Sequence, residues 1–497
     1  MNTQPTPPIA LNAESATQHF ATTPVTLSDE FLSALHATGA DIATERAQLA
    51  EHSRDWWPLA MTWAKDNQVG ALASVVVTPK TQQQVQEIMR LCSTHTIPVT
   101  AAGGRSGVVG GSIPLYGGVV LSLTQLRGIR SVDVESGIVD VWAGTFGNDL
   151  EEELQSSYGL TIGHWPQSVA LSTVGGWLAH RGAGQFSNRY GTISDIVIGL
   201  DVVRANGELL VTGGNARQST GPDLNQLFVG SEGTLGIITS ARLRAFPVPS
   251  ANFSAAWTFP TFAAAVDACR RISRRGLEPA ALRLYDAAEA NRNWQTGDVA
   301  VLLAYDEGDP ETVAAAQRIT EQECAQATAI GSELVDRWLS HRNDVSALEA
   351  LISRGYLVDT MEITIPWSKT NEVYEKVVAA ISSIPKVLTC TAHLSHSYPD
   401  GACLYFTFAA AEASDELYTQ IWDAGTRTAL SVGASLSHHH GIGMNRARFM
   451  NEALGSNAMT TLNDIRNALD PQGILNPGKM GFSSRFGPVP LGGDKHV

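Results

Sequence analysis

Hydrophobic and polar positions change their rhythm several times along the chain. Residues 1 to about 68 combine a Pro-rich start with a helical pattern and reach Asp55-Trp56-Trp57-Pro58. From Ala71 the pattern becomes strand-like: Ala73 to Thr78 is a β-branched run stopped by Pro79. Thr81 to Thr94 then spaces Val85, Ile88, Met89 and Cys92 as one face of a helix, with Thr81 as its N-cap. Ile97 to Thr100 is a second short strand. Strand-like runs follow at Gly118–Leu123, Ile138–Ala143, Ile196–Arg204 and Gly236–Phe246, with turn residues between them. Beyond Pro247-Val248-Pro249, helical patterns alternate with strands to about residue 430, and the remainder returns to Gly- and His-rich loops.

This rhythm predicts an α+β architecture in four parts. Residues 1–68 form an N-terminal helical segment, 69–248 a β-rich ligand-holding domain, 249–430 an α/β substrate (cap) domain, and 431–497 a segment that rejoins the first domain. A chain of 497 residues exceeds one ordinary core, which agrees with two packed domains. With 43% hydrophobic and 17% charged residues, it is expected to be globular.

A formal charge of -15 repels phosphate backbones, so no nucleic-acid partner is expected. Five scattered cysteines, none in CxxC spacing, suggest neither a zinc site nor a disulfide framework, and point to a cytoplasmic compartment. The N-terminus has no basic start with an apolar run, and no apolar stretch nears the roughly 20 residues of a membrane span. Peripheral lipid contact stays possible on this reading.

The first chemical signal is Thr100-Ala101-Ala102-Gly103-Gly104-Arg105-Ser106-Gly107, which continues to Gly110-Gly111. Consecutive glycines permit positive φ and let amides converge on an anion such as a diphosphate; equally, they permit a turn that packs closely. The loop matches neither GxGxxG nor a P-loop ending in GK followed by Ser or Thr. Three more blocks follow: Gly163 to Ser168 with Leu171-Ser172-Thr173-Val174-Gly175-Gly176; His180-Arg181-Gly182-Ala183-Gly184 with Asn188 to Gly191; and Gly230-Ser231-Glu232-Gly233-Thr234-Leu235-Gly236-Ile237-Ile238.

In this order and spacing the four blocks resemble the PCMH-type FAD-binding domain shared by the vanillyl-alcohol-oxidase superfamily, including D-lactate dehydrogenases and alkyl-dihydroxyacetone-phosphate synthases. The resemblance implies a two-domain flavoprotein in which Thr100 to Ser106 hold the FAD diphosphate. It also implies that Gln167, Ser168, Leu171, Ser172 and Thr173, then His180 to Ala183, then Glu232, Gly233, Thr234, Gly236, Ile237 and Ile238 line the rest of the cofactor. No histidine stands in the first loop, so the FAD is expected to be non-covalent.

Two later segments carry candidate proton chemistry: His396-Ser397-Tyr398-Pro399-Asp400-Gly401-Ala402-Cys403-Leu404-Tyr405-Phe406, and Ser437-His438-His439-His440-Gly441-Ile442-Gly443. On extended backbone, adjacent histidines alternate sides, and no nearby Cys or carboxylate completes a closed metal site. Hydrogen-bonding or relay roles fit them better, and no metal is expected.

Both segments resemble alkyl-dihydroxyacetone-phosphate synthases. Carried over, Tyr398 becomes the acid/base at the flavin N5 face, His438, His439 and His440 the active-site histidine run, and Arg283 an arginine near the active site. That family exchanges an acyl group for an alkyl group on dihydroxyacetone phosphate to make ether lipid, a transferase reaction without net oxidation; a homodimer is part of the resemblance.

The alternative is a D-2-hydroxyacid or alcohol dehydrogenase or oxidase on the same scaffold. Metal-dependent dehydrogenases carry H-x-G-D-G-N-x-H and a later Glu-His-Gly, whereas this chain has an extra residue in the first motif, lacks its second histidine, and has His439 in place of the glutamate. Against the synthase, Leu348-Glu349 occupies the place of an Arg-Asp pair upstream of Asp359-Thr360-Met361-Glu362, and leucine cannot anchor a phosphate.

Overall fold

Pro79 and Thr81 set the first boundary. In the computed structural model, which describes residues 7–277 and 279–491, strand Val75–Thr78 stops there and helix Gln82–His95 begins. Thr81 Oγ1 accepts from the Gln84 amide at 3.2 Å, the Gln84 side chain returns the bond to the Thr81 amide, and Val85, Ile88, Met89 and Cys92 are buried. The helix leads into strand Val99–Ala102, which pairs parallel with Val119–Ser122, itself parallel to Val75–Thr78. Asp41–Ala43 closes the other edge of this four-stranded sheet in antiparallel register. The N-terminal segment is therefore more than helical. It has helices Asp29–Ala37, Arg46–Glu51 and Pro58–Lys65, but it also gives that edge strand and Thr17–Gln18, which pairs with Gln68–Val69.

A second, five-stranded sheet is antiparallel, in the order Leu209–Gly213, Val197–Val203, Ile237–Arg244, Ile138–Trp142, Ile129–Asp133. All seven residues of Val197–Val203 are buried because both faces are covered. Helices Gly147–Tyr158 and Val174–Ala179 pack on one side, and helix Gln82–His95 fills the space toward the first sheet.

The cap carries a seven-stranded sheet in the order Thr328–Ala329, Ala251–Phe259, Ala300–Gly308, Ala281–Tyr285, Val387–Ser397, Gly401–Ala410, Leu357–Pro366, with every pairing antiparallel. Strand period decides its two faces. Leu282, Leu284, Leu394, Leu404, Phe406, Phe408 and Met361 point into an apolar core shared with helices Phe262–Ser273, Pro310–Glu323, Thr370–Ser382 and Asp415–Val432. Their neighbours Arg283, Tyr285, His393, Tyr405, Thr407 and Thr360 line a cavity on the opposite face. A β-bulge between Leu394 and His396 breaks the alternation, so that His396 also reaches the cavity.

The C-terminal segment returns to the first sheet: Val99 donates to Ile474 O and Asn476 donates to Val99 O, each at 2.8 Å. It is held there by Glu232, whose carboxylate accepts from the Ile442 amide at 2.6 Å and the Gly443 amide at 2.7 Å. All five cysteines are buried and unbridged. No helix among the described residues is long and apolar enough to cross a membrane.

Replacing Glu232 by Ala strands both of these amides. A cost of about 1–3 kcal/mol for each buried donor left unpaired is expected, seen as a lower denaturation midpoint; an unchanged midpoint would show that the C-terminal segment is held by other contacts.

Candidate active site

The cavity, of about 860 Å³, lies between the cap sheet and the glycine turns of the first domain. Of the residues expected to hold a dinucleotide, Ala101 to Ser106, Gln167, Ser168, Leu171 to Thr173, His180, Gly182, Ala183, Glu232, Gly233 and Gly236 to Ile238 all line it. Thr100, Arg181 and Thr234 do not. Thr100 is buried in its strand, Arg181 turns its guanidinium to Val229 O at 3.0 Å, and the Thr234 hydroxyl donates to Ser231 O.

The glycine turn serves close packing as well as access. A Cβ on Gly103 would fall 2.2 Å from Thr173 Oγ1, and one on Gly104 would fall 1.8 Å from Leu171 O, so the turn can meet the 171–173 segment only as glycine. Arg105, at φ +55°, lines the cavity but donates to Glu51 O, and burial lowers its pKa to about 10. Its charge is thus directed toward the N-terminal segment. Several buried polar atoms of cavity-lining residues have no hydrogen-bond partner among the described residues: both ring nitrogens of His164 and Nδ1 of His180 and of His440. Burial keeps His164 neutral by lowering its pKa to about 3. Unpaired buried polar atoms around an elongated cavity between two domains fit a polar, ring-bearing ligand such as FAD.

The histidine turn is built on Glu362. Its Oε1 accepts from the amides of His438, His439 and His440 at 3.2, 3.0 and 2.7 Å and from the Ser437 hydroxyl at 2.7 Å. Its Oε2 accepts from Arg446 at 2.5 Å, and both of these side chains are fully buried. Burial alone would raise the Glu362 pKa, but the Arg446 guanidinium outweighs it and holds the group well below the usual carboxylate range.

The turn then directs each imidazole differently. His439 Nε2 and His440 Nε2 sit 2.7 and 2.9 Å from the Tyr405 hydroxyl, which therefore donates to one ring and accepts from the other. His438 Nε2 is 2.5 Å from the Tyr398 hydroxyl, and the Nδ1 atoms of His438 and His439 are 2.6 Å apart. Burial lowers the pKa of His438 and of His440 to about 4 and holds that of His439 well below the ordinary imidazole value, so all three rings are neutral near pH 7 and can both donate and accept.

The five candidate catalytic residues do not all reach the cavity. His439, His440 and Arg283 line the cavity, whereas His438 and Tyr398 do not; Tyr398 lines a separate groove with Arg189 and Asp306. The reason lies in the strand ends. Tyr398 stands past the end of Val387–Ser397, in the turn to Gly401–Ala410, while Tyr405 lies mid-strand on the cavity face. The ring nitrogens of His396, His438 and His439 come within 4.8 Å of one another. Ser187 Oγ lies 2.7 Å from Nδ1 of His396, and both nitrogens of His438 and of His439 are engaged in hydrogen bonds.

Sequence reasoning held His396 and Tyr405 in a candidate segment without singling them out, and it missed the roles of His393, Glu362 and Arg446 and the His393–Glu289 contact at 2.9 Å. The alternation Leu404-Tyr405-Phe406-Thr407-Phe408 held the signal for Tyr405, since it is a polar tip on the face opposite an apolar row. Arg283 donates from Nε to the Tyr285 hydroxyl at 2.9 Å and lies over the Trp338 ring. Leu348 lines the cavity, as do Arg292 and Arg342.

Residues 73–213 match the model of the FAD binding domain, and residues 248–480 match that of the FAD linked oxidases, C-terminal domain. The chain belongs to the FAD-linked oxidase superfamily. It is an FAD-dependent enzyme of this group, with the two-domain PCMH-type fold. Among its relatives, the alkyldihydroxyacetonephosphate synthase of Trypanosoma brucei brucei is 28% identical over 82% of this chain and 72% of its own. Glycolate oxidase subunit GlcD of Bacillus subtilis (strain 168) is 28% identical over 83% of this chain and 90% of its own. A solved alkyldihydroxyacetonephosphate synthase superposes with a TM-score of 0.77 at 23% identity, covering 94% of this chain and 88% of that one, and so shares the fold.

Two buried carboxylates of one strand behave oppositely. Glu362→Ala leaves Arg446 unpaired, with an expected cost of about 3–5 kcal/mol and loss of the ordered histidine turn, measured by denaturation. Asp359 lines the cavity and accepts from Tyr418 at 2.6 Å and Trp422 at 3.2 Å, yet burial raises its pKa to about 7. A carboxyl raised in this way favours the fold while neutral, and the benefit fades as pH climbs from the ordinary value toward about 7. Melting of the wild type against Asp359→Asn should therefore differ in slope across that window, the wild type falling more steeply; parallel curves would refute the raised value.

Proposed function

We propose that the chain performs alkyldihydroxyacetonephosphate-synthase-type chemistry on FAD, with Tyr405 as the acid/base of the cavity. The observation that carries this is the Tyr405 hydroxyl, lining the cavity and held between two neutral imidazoles. When bound, FAD supplies an electrophilic N5. The glycine turns and the 171–173 segment would hold it, along with the rings of His164 and His180. Tyr405 gives or takes a proton at its hydroxyl, and His439 and His440 take up or return that proton without becoming charged for long, since burial disfavours imidazolium. Arg283 and Arg292 supply positive charge for an anionic substrate group. Tyr398 and His438 stand behind the cavity as a hydrogen-bonded extension of the histidine turn. Non-covalent FAD, a cytoplasmic setting and a homodimer belong to the same proposal.

A second reading, oxidation of a hydroxy acid or alcohol, is favoured by Leu348. It faces the cavity where a phosphate-anchoring arginine is expected, which suits a substrate that carries no phosphate.

Tyr405→Phe should retain FAD and lose about 10²–10⁴-fold in rate, whereas Tyr398→Phe should lose far less; the reverse order would return the acid/base role to Tyr398. The two readings separate anaerobically. Glycolate or D-lactate that bleaches the flavin band identifies an oxidoreductase, whereas exchange of acyl for alkyl between acyl-dihydroxyacetone phosphate and hexadecanol without lasting bleaching identifies the synthase.

A further inference from the structure

A second proton-handling pair stands in the same cavity, apart from the histidine turn. His393 lines the cavity from strand Val387–Ser397, and its ring lies flat against Tyr405, with centroids 4.9 Å apart and planes 10° from parallel. Its Nδ1 is 2.9 Å from Glu289 Oε1. A carboxylate only accepts, so Nδ1 carries the hydrogen and, in the neutral ring, Nε2 carries the lone pair. Among the described residues, Nε2 has no hydrogen-bond partner.

Glu289 is fixed from three sides. Thr391 donates to its Oε2 at 3.1 Å, and Arg292 stands 3.7 Å from Oε1. Its amide donates to Asp286, which caps helix Ala287–Trp294 and also accepts from the Ala392 amide at 2.7 Å. One aspartate thus ties the helix bearing Glu289 to the strand bearing His393, residue by residue beside it. Burial would raise the Glu289 pKa, but His393 and Arg292 outweigh it and keep the group ionised. A carboxylate, an oriented imidazole and an open lone pair are the parts of a general base for an O–H group.

The geometry points to His393 as the base that takes the hydroxyl proton of an alcohol substrate, with Glu289 as the residue that positions it. The O–H bond breaks, its electron pair stays on oxygen, and the proton bonds to Nε2; the resulting imidazolium is balanced by the Glu289 carboxylate. An alcohol hydroxyl takes part whether the alcohol is joined as an ether or oxidised. The inference rests on the proposed reading of this cavity, and it adds a second proton site to that of Tyr405.

Holoenzyme labelled with ¹⁵N in its histidine rings tests the orientation without a substrate. His393, assigned by its absence in His393→Ala, is expected as the Nδ1–H form, and Glu289→Gln should mix the two tautomers; a protonated Nε2 in the neutral wild-type ring overturns the inference. The rate test uses hexadecanol with acyl-dihydroxyacetone phosphate, and glycolate. His393→Ala, with its FAD absorbance retained, should lose about 10²-fold or more in rate and recover much of it with added imidazole, a rescue that a purely structural residue would not show. A rate near wild type, or no response to imidazole, overturns the inference. Full activity of Tyr405→Phe, or no reaction with either probe, instead sinks the reading of the site, and the tautomer still decides the placement of His393.

Discussion

The Glu362 carboxylate gathers three consecutive amides, one hydroxyl and one guanidinium in the interior of the protein. Without it, the amides of His438 to His440 would be buried donors in search of an acceptor, and the turn would have no single conformation. With it, three adjacent side chains that extended backbone would scatter are spread around one pivot. His439 and His440 then converge on Tyr405, and His438 is released toward Tyr398. Arg446, stacked over Trp422, brings the following segment to the same point.

Because Glu362 sits on strand Leu357–Pro366, the pivot belongs to the cap sheet, whereas Glu232 draws Ile442 and Gly443 toward the cofactor domain. The segment from Ser437 to Gly443 is thus gripped by one carboxylate from each domain. Such a double grip closes the cavity where the two halves meet and places neutral, hydrogen-bonded imidazoles on its wall. An ionised imidazole here would pay heavily for desolvation, which favours proton transfer through neutral partners.

Much of this was legible from local pattern. The helix after Pro79, its Thr81 cap and its four buried residues follow from spacing alone, whereas the glycine-turn residues around the cavity were singled out through the family resemblance. What local pattern could not supply was parity. Whether Tyr398 or Tyr405 faces a ligand depends on where a strand ends and on which face packs against helices far away in sequence. Glu362 and Glu289 were equally hidden, because their meaning arises only when distant strands and helices bring acceptors to donors. Arg105 illustrates the same limit: a cation in an anion-binding loop had a plausible ligand, yet tertiary packing turned it to a carbonyl of the N-terminal segment.

The irregularity between Leu394 and His396 has a reach beyond one side chain. In a strictly alternating strand, His393 on the wall would be followed by Ser395, with His396 sunk in the helix-packed layer. One extra residue acts as a phase shift, so that imidazoles on both sides of the slip belong to a single surface. Chemistry at such a wall can then be rewritten by inserting or deleting one residue while the surrounding layers keep their composition, which makes strand length a variable as potent as residue identity.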